Sequence, residues 1–281
     1  MKKYIWQLTE IPKSKNKKFG EGGKRTKGIL KKKPLFSVIT VVYNGEKFLE
    51  KTIASVINQS CKDFEYIIID GGSTDKSLKI IKKYEKKIDY WISEKDKGIY
   101  DAFNKGMIVS KGKFIGFINS DDIYKKNALS IISNYIEKNK VADFIFGSVK
   151  KHWGILHGYK PHKIKYSWGF YSSHSTGFFI KRKVAEKIGF YNIKYKYHAD
   201  YDYFYRLIVK NKMKGISTKK NEIVGVFRRG GFSSKISFWK KLKEDIRIRY
   251  DNGQNIFLLI LIFSNKFLRN IDEILKDIIK K

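Results

Sequence analysis

The chain has 281 residues, enough for one large domain with appendages, and 42% of them are hydrophobic, so a packed core is expected and global disorder is excluded. Its single cysteine, Cys61, excludes a disulfide framework and fits a reducing compartment. A formal charge of +33, from 60 Lys and Arg against 27 Asp and Glu, suits nucleic acid, anionic lipid or a phosphorylated substrate.

The basic excess is spread along a chain rich in Lys, Ile, Asn and Tyr, a composition that AT-biased codon usage also produces, and no nucleic-acid partner is expected. No long apolar core follows Lys2 and Lys3, so no signal peptide is expected. The longest apolar run, residues 256–263, has 8 residues, far short of the roughly 20 that a membrane-spanning helix needs. These features predict a cytoplasmic protein.

Residues 1–34 carry 12 Lys or Arg against Glu10 and Glu21 alone, with four glycines, and read as a basic arm lying on the main domain. From Phe36 the pattern alternates. Residues 36–43 read as a buried strand, and 46–58 as a helix with Phe48, Leu49, Ile53, Val56 and Ile57 on one face. Residues 64–69 give a second strand, and Ser73 or Thr74 caps a helix that contains Leu78, Ile80 and Ile81. A short strand (90–93), a helix (98–109), a strand (114–118), a helix (127–137) and a strand (143–149) follow. Beyond residue 150 the pattern loosens: strands are expected over 176–180 and 222–227, helices over 182–188 and 199–209, and one or two helices over 238–281, broken near Asp251-Asn252-Gly253.

Strands alternating with helices predict an α/β fold with a mostly parallel sheet. In such sheets ligands bind at the carboxyl ends of the strands. Asn44, Asp70 and Asp121 all fall at such ends, so they are expected to share one rim. The apolar strand 114–118 stops at Asn119-Ser120-Asp121-Asp122, where hard carboxylate oxygens suit a divalent cation holding a diphosphate. Asp200, in His198-Ala199-Asp200-Tyr201-Asp202, is a further candidate acid.

Four ordered motifs resemble those of the family 2 glycosyltransferases, inverting enzymes of the GT-A fold. They are Ser37-Val38-Ile39-Thr40-Val41-Val42-Tyr43-Asn44, Ile69-Asp70-Gly71-Gly72-Ser73-Thr74-Asp75, Asp96-Lys97-Gly98-Ile99-Tyr100-Asp101-Ala102-Phe103-Asn104-Lys105-Gly106, and Gly116-Phe117-Ile118-Asn119-Ser120-Asp121-Asp122. The resemblance covers about residues 35–230 and is strongest to the subgroup that builds bacterial polysaccharides such as O-antigen, capsule or lipooligosaccharide. It implies a GT-A domain over 35–234, with a nucleotide-sugar half (35–125) and an acceptor half (126–234), followed by an amphipathic helical segment (235–281).

The resemblance also implies roles. Val41, Tyr43 and Asn44 would line the nucleotide base, and Asp70 would hydrogen-bond it; the family usually has a second Asp where Gly71 stands. Asp96, Lys97 and Asn104 would face the nucleotide cleft. Asn119-Ser120-Asp121 occupies the place of the family's Asp-x-Asp motif with its first acid replaced, leaving Asp121 to hold a Mg or Mn ion with support from Asp122. Asp200 would be the base that deprotonates the acceptor hydroxyl. His174 and His198 would face the acceptor, and Arg229, with Arg228 beside the Gly230-Gly231 hinge, would close on the diphosphate. Each group also has a plain role open to it: turn formation for Asn44 and Asp70, a solvated pair for Asp96 and Lys97, helix N-terminal charge for Asp122, Asp200 and Asp202.

The expected partners are a nucleoside diphosphate-sugar, most simply a UDP-sugar, and a glycan or lipid-linked oligosaccharide. Residues 235–281, with 11 basic and 6 acidic residues around an apolar stretch, would touch the inner membrane or a sister subunit of a homodimer. Two other readings compete: a non-catalytic nucleotide-sugar-binding partner, prompted by Asn119 and Gly71, and a sugar nucleotidyltransferase, which should show a Gly-rich, Arg-containing loop after the first strand that residues 41–46 lack.

Overall fold

The computed structural model describes residues 18–29, 33–166, 175–228, 230 and 236–271. Its first strand, β1 (Lys18–Gly22), lies in the basic segment that reads as an arm, and pairs antiparallel with a later strand at the edge of the main sheet. Glycine makes that pairing possible: a Cβ on Gly20 or Gly22 would meet the Trp91 indole at 3.0 and 2.7 Å.

The alternating region follows. It comprises β2 (Phe36–Val42), α1 (Leu49–Ile57), β3 (Phe64–Asp70), α2 (Ser77–Lys83), β4 (Tyr90–Glu94), α3 (Ile99–Val109) and β5 (Phe114–Asn119). Every residue of β2, β3 and β4 is buried, as expected for strands covered on both faces. Side chains alternate between two cores. Phe36, Val38 and Val42 pack with α1, whereas Ile39 and Val41 pack with Phe103 and Met107 of α3. Gly106 lets α3 lie close on the sheet, since a Cβ there would come within 2.4 Å of Ile39 Cγ2.

The chain continues through β6 (Ile123–Tyr124), α4 (Ala128–Lys138), β7 (Phe144–Phe146), β8 (Ser148–Lys151), β9 (Gly154–Leu156), α5 (His162–Tyr166), β10 (Phe178–Lys181), α6 (Arg182–Ile188) and α7 (Ala199–Phe204). Helix α7 runs on as a π-helix over Tyr205–Lys210, and β11 (Gly215–Ser217), β12 (Ile223–Val226), α8 (Phe238–Asp251) and α9 (Ile256–Arg269) complete the order. The main sheet has the order β1-β4-β3-β2-β5-β10-β7-β11. Its centre, β4-β3-β2-β5, is parallel, while β1 and β10 run antiparallel to their neighbours.

The single strand expected over 143–149 is two strands in two sheets. β7 stays in the main sheet and β8 joins a small sheet of order β6-β12-β8-β9. The switch falls at Gly147, where a Cβ would meet Val224 Cγ2 at 2.5 Å. The small sheet thereby covers the carboxyl end of β5, where the acidic loop lies.

Candidate active site

The carboxyl ends of β2, β3, β4 and β5 form one rim, as the topology predicts. Asn44 ends β2 in the left-handed region (φ 49°), a conformation Asn tolerates. Its Oδ1 accepts from the Thr74 N–H at 2.8 Å, and its own N–H donates to Ser73 Oγ at 2.8 Å, so it splices the β2 and β3 turns together. Tyr43 beside it is 63% exposed and open to a ligand.

Two of the residues expected at the donor have buried side chains. The Val41 side chain is buried between Ile39 and Ile69 in the core, leaving Tyr43 as the exposed side chain at that strand end. Asp70 is fully buried, and its carboxylate is taken up by the Ser73 N–H and hydroxyl and by the Ser93 hydroxyl. It therefore shapes the turn on which a nucleotide would lie.

Asp96 fills the space beside Gly71. A Cβ on Gly71 would sit 2.4 Å from Asp96 Oδ2, so the missing side chain admits a carboxylate from the next strand end. Burial raises the Asp96 pKa; the Gly98 N–H and Lys105 oppose that, and Asp101 and Asp70 add to it. Lys97 is exposed, with its backbone N–H bonded to Asp101. Asn104 is buried. Its amide nitrogen donates to the Tyr191 carbonyl at 2.9 Å and its oxygen accepts from the Tyr191 N–H at 2.8 Å, so it bolts α3 to the segment before α7.

In the acidic loop, the two adjacent aspartates separate. Asp122 points inward, is fully buried, and accepts from Thr176 Oγ1 at 2.6 Å, from the Arg228 N–H and from the Asn119 amide. Burial, with the Asp121 charge beside it, pushes its carboxyl up to about 7. Asp122 therefore braces the loop, in keeping with the supporting part expected of it, through the nearby Asn119 amide and through Thr176 and Arg228, which are distant in sequence. The Thr52 hydroxyl of α1 is 2.8 Å from the carbonyls of both Ser120 and Asp122 and fixes the loop from below.

Asp121 is half-buried, and burial raises its pKa while the Arg228 charge opposes that. Among the described residues no neighbouring element takes up its carboxylate. The side-chain Oδ1 of Asn119 is buried without a hydrogen-bond partner among the described residues, a costly arrangement unless something else coordinates it. A carboxylate and an orphaned carbonyl in one loop are both hard oxygen donors, so the residues present fit a divalent cation whose remaining ligands come from diphosphate and water. Among the described residues no cluster of three His, Cys, Asp or Glu gathers, so the protein's own share of such a site is small.

Asp200 lies in the first turn of α7, half-buried, with Oδ1 accepting from the Tyr201 N–H at 2.9 Å and from the Tyr100 hydroxyl at 3.1 Å. Burial raises its pKa, while the His198 charge and these two donors hold it down. Such a carboxylate is more basic than one in water, which suits a proton acceptor. Tyr100, from the third motif, was missed as its partner by sequence reasoning, because 100 residues separate the two.

Lys151 at the end of β8 was also missed. It lies over the Phe227 ring at 4.6 Å, and burial lowers its pKa against the opposing charges of Asp122 and Asp200. It feels the charge of both the acidic loop and Asp200; in so lysine-rich a chain, no sequence signal singled it out. Arg228 stacks on the Phe48 ring with its Nε buried. His198 anchors the C-terminal helices: its Nδ1 meets the Asp245 carboxylate of α8, and its N–H donates to Glu244. His174 and Arg229 lie outside the described residues.

A central parallel sheet with an acidic loop after β5, and a further carboxylate, Asp200, brought by α7 to Tyr100 at the start of α3, matches the GT-A class of glycosyltransferases. The chain belongs to glycosyl transferase family 2, whose family model matches residues 37–204. It is 33% identical over 193 residues to an uncharacterized glycosyltransferase of Methanocaldococcus jannaschii, covering 64% of this chain and 66% of that one. It is 28% identical over 232 residues to the PGL/p-HBAD biosynthesis glycosyltransferase of Mycobacterium tuberculosis, covering 76% and 86%. The fold is shared with residues 1–349 of S. aureus TarS, solved with UDP-GlcNAc, at TM-score 0.63 and 18% identity over 84% of this chain and 72% of that one.

Proposed function

We propose that this protein is an inverting glycosyltransferase. It moves a sugar from a UDP-sugar, the donor type bound in the TarS structure, to a hydroxyl of a growing, lipid-linked bacterial surface glycan at the cytoplasmic face of the inner membrane. The relative from M. tuberculosis, named for a biosynthetic glycosyltransferase, supports a place in glycan or glycolipid assembly. The observation that carries the reading is the division of labour between Asp121, open in the acidic loop, and Asp200, held separately at α7.

The chemistry follows from these positions. Tyr43, the Asn44 splice and Asp96 hold the nucleoside, and Asp121 with the Asn119 carbonyl faces the diphosphate. A Mg or Mn ion bound there supplies charge neutralisation for the departing phosphate. Asp200 accepts the proton of the acceptor hydroxyl as that oxygen bonds to the anomeric carbon and the carbon–phosphate-oxygen bond breaks. Attack from the face opposite the nucleotide inverts the centre. Lys151 and Arg228 add positive charge around the leaving group.

One observation favours a second reading, nucleotide-sugar binding without turnover: the Asn119 replacement leaves one open acid in the loop. Purified protein incubated with UDP-, GDP- and dTDP-sugars and Mg or Mn separates the two. Metal-dependent nucleoside diphosphate release, lost in Asp121→Ala and Asp200→Asn, supports transfer. Donor binding with no release, even with envelope glycolipid added, overturns it in favour of the binding reading.

A further inference from the structure

Helix α9 is apolar on both its faces. Leu259 and Ile262 are buried against the rest of the protein. On the opposite side Ile256, Phe257, Ile260, Leu261 and Leu268 are 55–74% exposed, and Ile271 just beyond continues the stripe at 44%. The spacing puts the five within α9 on one outward half-cylinder, with Ser264 and Asn265 among them. From Ile256 to Leu268 that stripe is about 20 Å long. A helix that is hydrophobic all round is normally covered on all sides, and exposed apolar patches of this kind mark interaction surfaces. The helix's Lys266 even turns inward, 3.7 Å from Asp245 and over the Phe238 ring.

We infer that this outward face of α9 docks the protein on an anionic lipid bilayer. Three observations choose the bilayer over a second copy. The helix contains no acidic residue that would be repelled by anionic headgroups. The partner helix of the hairpin, α8, exposes Lys240, Lys243, Arg247 and Tyr250 at intervals of three and four residues, and the exposed Asp251 beside them is paired with Lys194 and Arg247, so cations and a phenol predominate on that face, as in headgroup-binding helices. The chain carries a charge of +33, which opposes pairing two copies and favours an anionic surface. Among the described residues no helix is long and apolar enough to cross a membrane, so the contact is one of lying on the surface.

The docking surface is joined rigidly to the candidate active site. Glu244 of α8 accepts the N–H groups of Lys196, Tyr197 and His198, and Asp245 takes the His198 ring. These residues lead directly into α7, so a bilayer under α9 sets the position of Asp200 relative to the lipid plane. The docking itself goes beyond the glycosyl-transfer reading and rests on the hairpin alone.

The test is co-flotation of the full chain with vesicles of pure phosphatidylcholine and of phosphatidylcholine with 30% phosphatidylglycerol, roughly a physiological anionic fraction. Wild type is expected to float with the anionic vesicles. The triple variant Phe257→Ser, Leu261→Ser, Leu268→Ser keeps every charge and is expected to lose at least about tenfold in partitioning. Because these side chains are exposed, its thermal melting should match wild type. Binding that survives the triple substitution comes from the lysines alone and overturns the assignment. As a second readout, Cys61→Ser with Leu261→Cys carries one environment-sensitive dye. Blue-shifted emission on adding anionic vesicles supports docking, and a shift that follows protein concentration without vesicles overturns it in favour of a second copy. Vesicle binding is measured without donor and donor turnover without vesicles, so failure of either leaves the other reading separately judged.

Discussion

His198 and Asp245 face each other across the joint between the sheet domain and the C-terminal hairpin, ring nitrogen against carboxylate, two residues from Asp200. Burial works against a protonated imidazole there, but the hydrogen bond and charge of Asp245, with Asp200 and Glu244, hold its pKa above the ordinary value. When protonated, the ring is a positive charge beside the candidate base and lowers the Asp200 pKa against burial.

The pH dependence of transfer should expose this arrangement. A base works as its carboxylate, so the rate falls as pH drops through the Asp200 pKa. His198→Gln removes the charge that lowers that pKa. The acid limb of kcat/KM is expected to move to higher pH, with the rate above the limb little changed. A uniform loss at every pH would instead assign His198 a purely structural part.

Stability should respond to the same pair with a definite sign. His198 has a folded-state pKa above its unfolded value of about 6.5. Its contribution is then fully present below pH 6.5 or so, and is lost as pH rises through the raised folded value. Wild type should lose more stability than His198→Gln between acid and alkaline pH, read from urea midpoints at both ends. Equal losses would contradict the raised pKa.

Asp121 and Asp122 should separate cleanly. Asp121→Ala is expected to abolish metal-dependent turnover and leave the melting temperature near wild type. Asp122→Ala strands Thr176, the Arg228 N–H and the Asn119 amide without their acceptor, and should cost about 1–3 kcal/mol of stability, with activity falling through disorder of the loop. Calorimetry beside a donor-hydrolysis assay checks both. The opposite pattern would give the metal role to Asp122.

Much of this layout is legible in the sequence. The central strands are continuous β-branched runs, and the acids fall where those runs stop, so the rim follows from the parallel topology alone. What the sequence does not carry is which way each acid turns. Asp70, Asp121 and Asp122 look alike after their strands. Ser93 and Thr176, which draw Asp70 and Asp122 inward, come from other strands and loops. Lys18–Gly22 is legible only as an arm lying on the main domain; that it is a strand is imposed by β4 and the Trp91 ring.

The N-terminal segment supplies the last prediction. Arg25 donates to the buried Glu65 of β3 and, at 2.6 Å, to the Val109 carbonyl at the end of α3. Glu65 also accepts from the Ser37 hydroxyl and the N–H groups of Lys111 and Gly112, so one carboxylate holds β2, β3 and the turn after α3. Removing Arg25 leaves this carboxylate buried without its cation. Loss of one partner from such a pair typically costs about 3–5 kcal/mol, whereas replacing both by apolar groups costs less. Arg25→Met should therefore lower the urea midpoint strongly, and Arg25→Met with Glu65→Gln should recover part of the loss. An unchanged midpoint in Arg25→Met would mean that the segment only rests on the sheet, as its composition first implies.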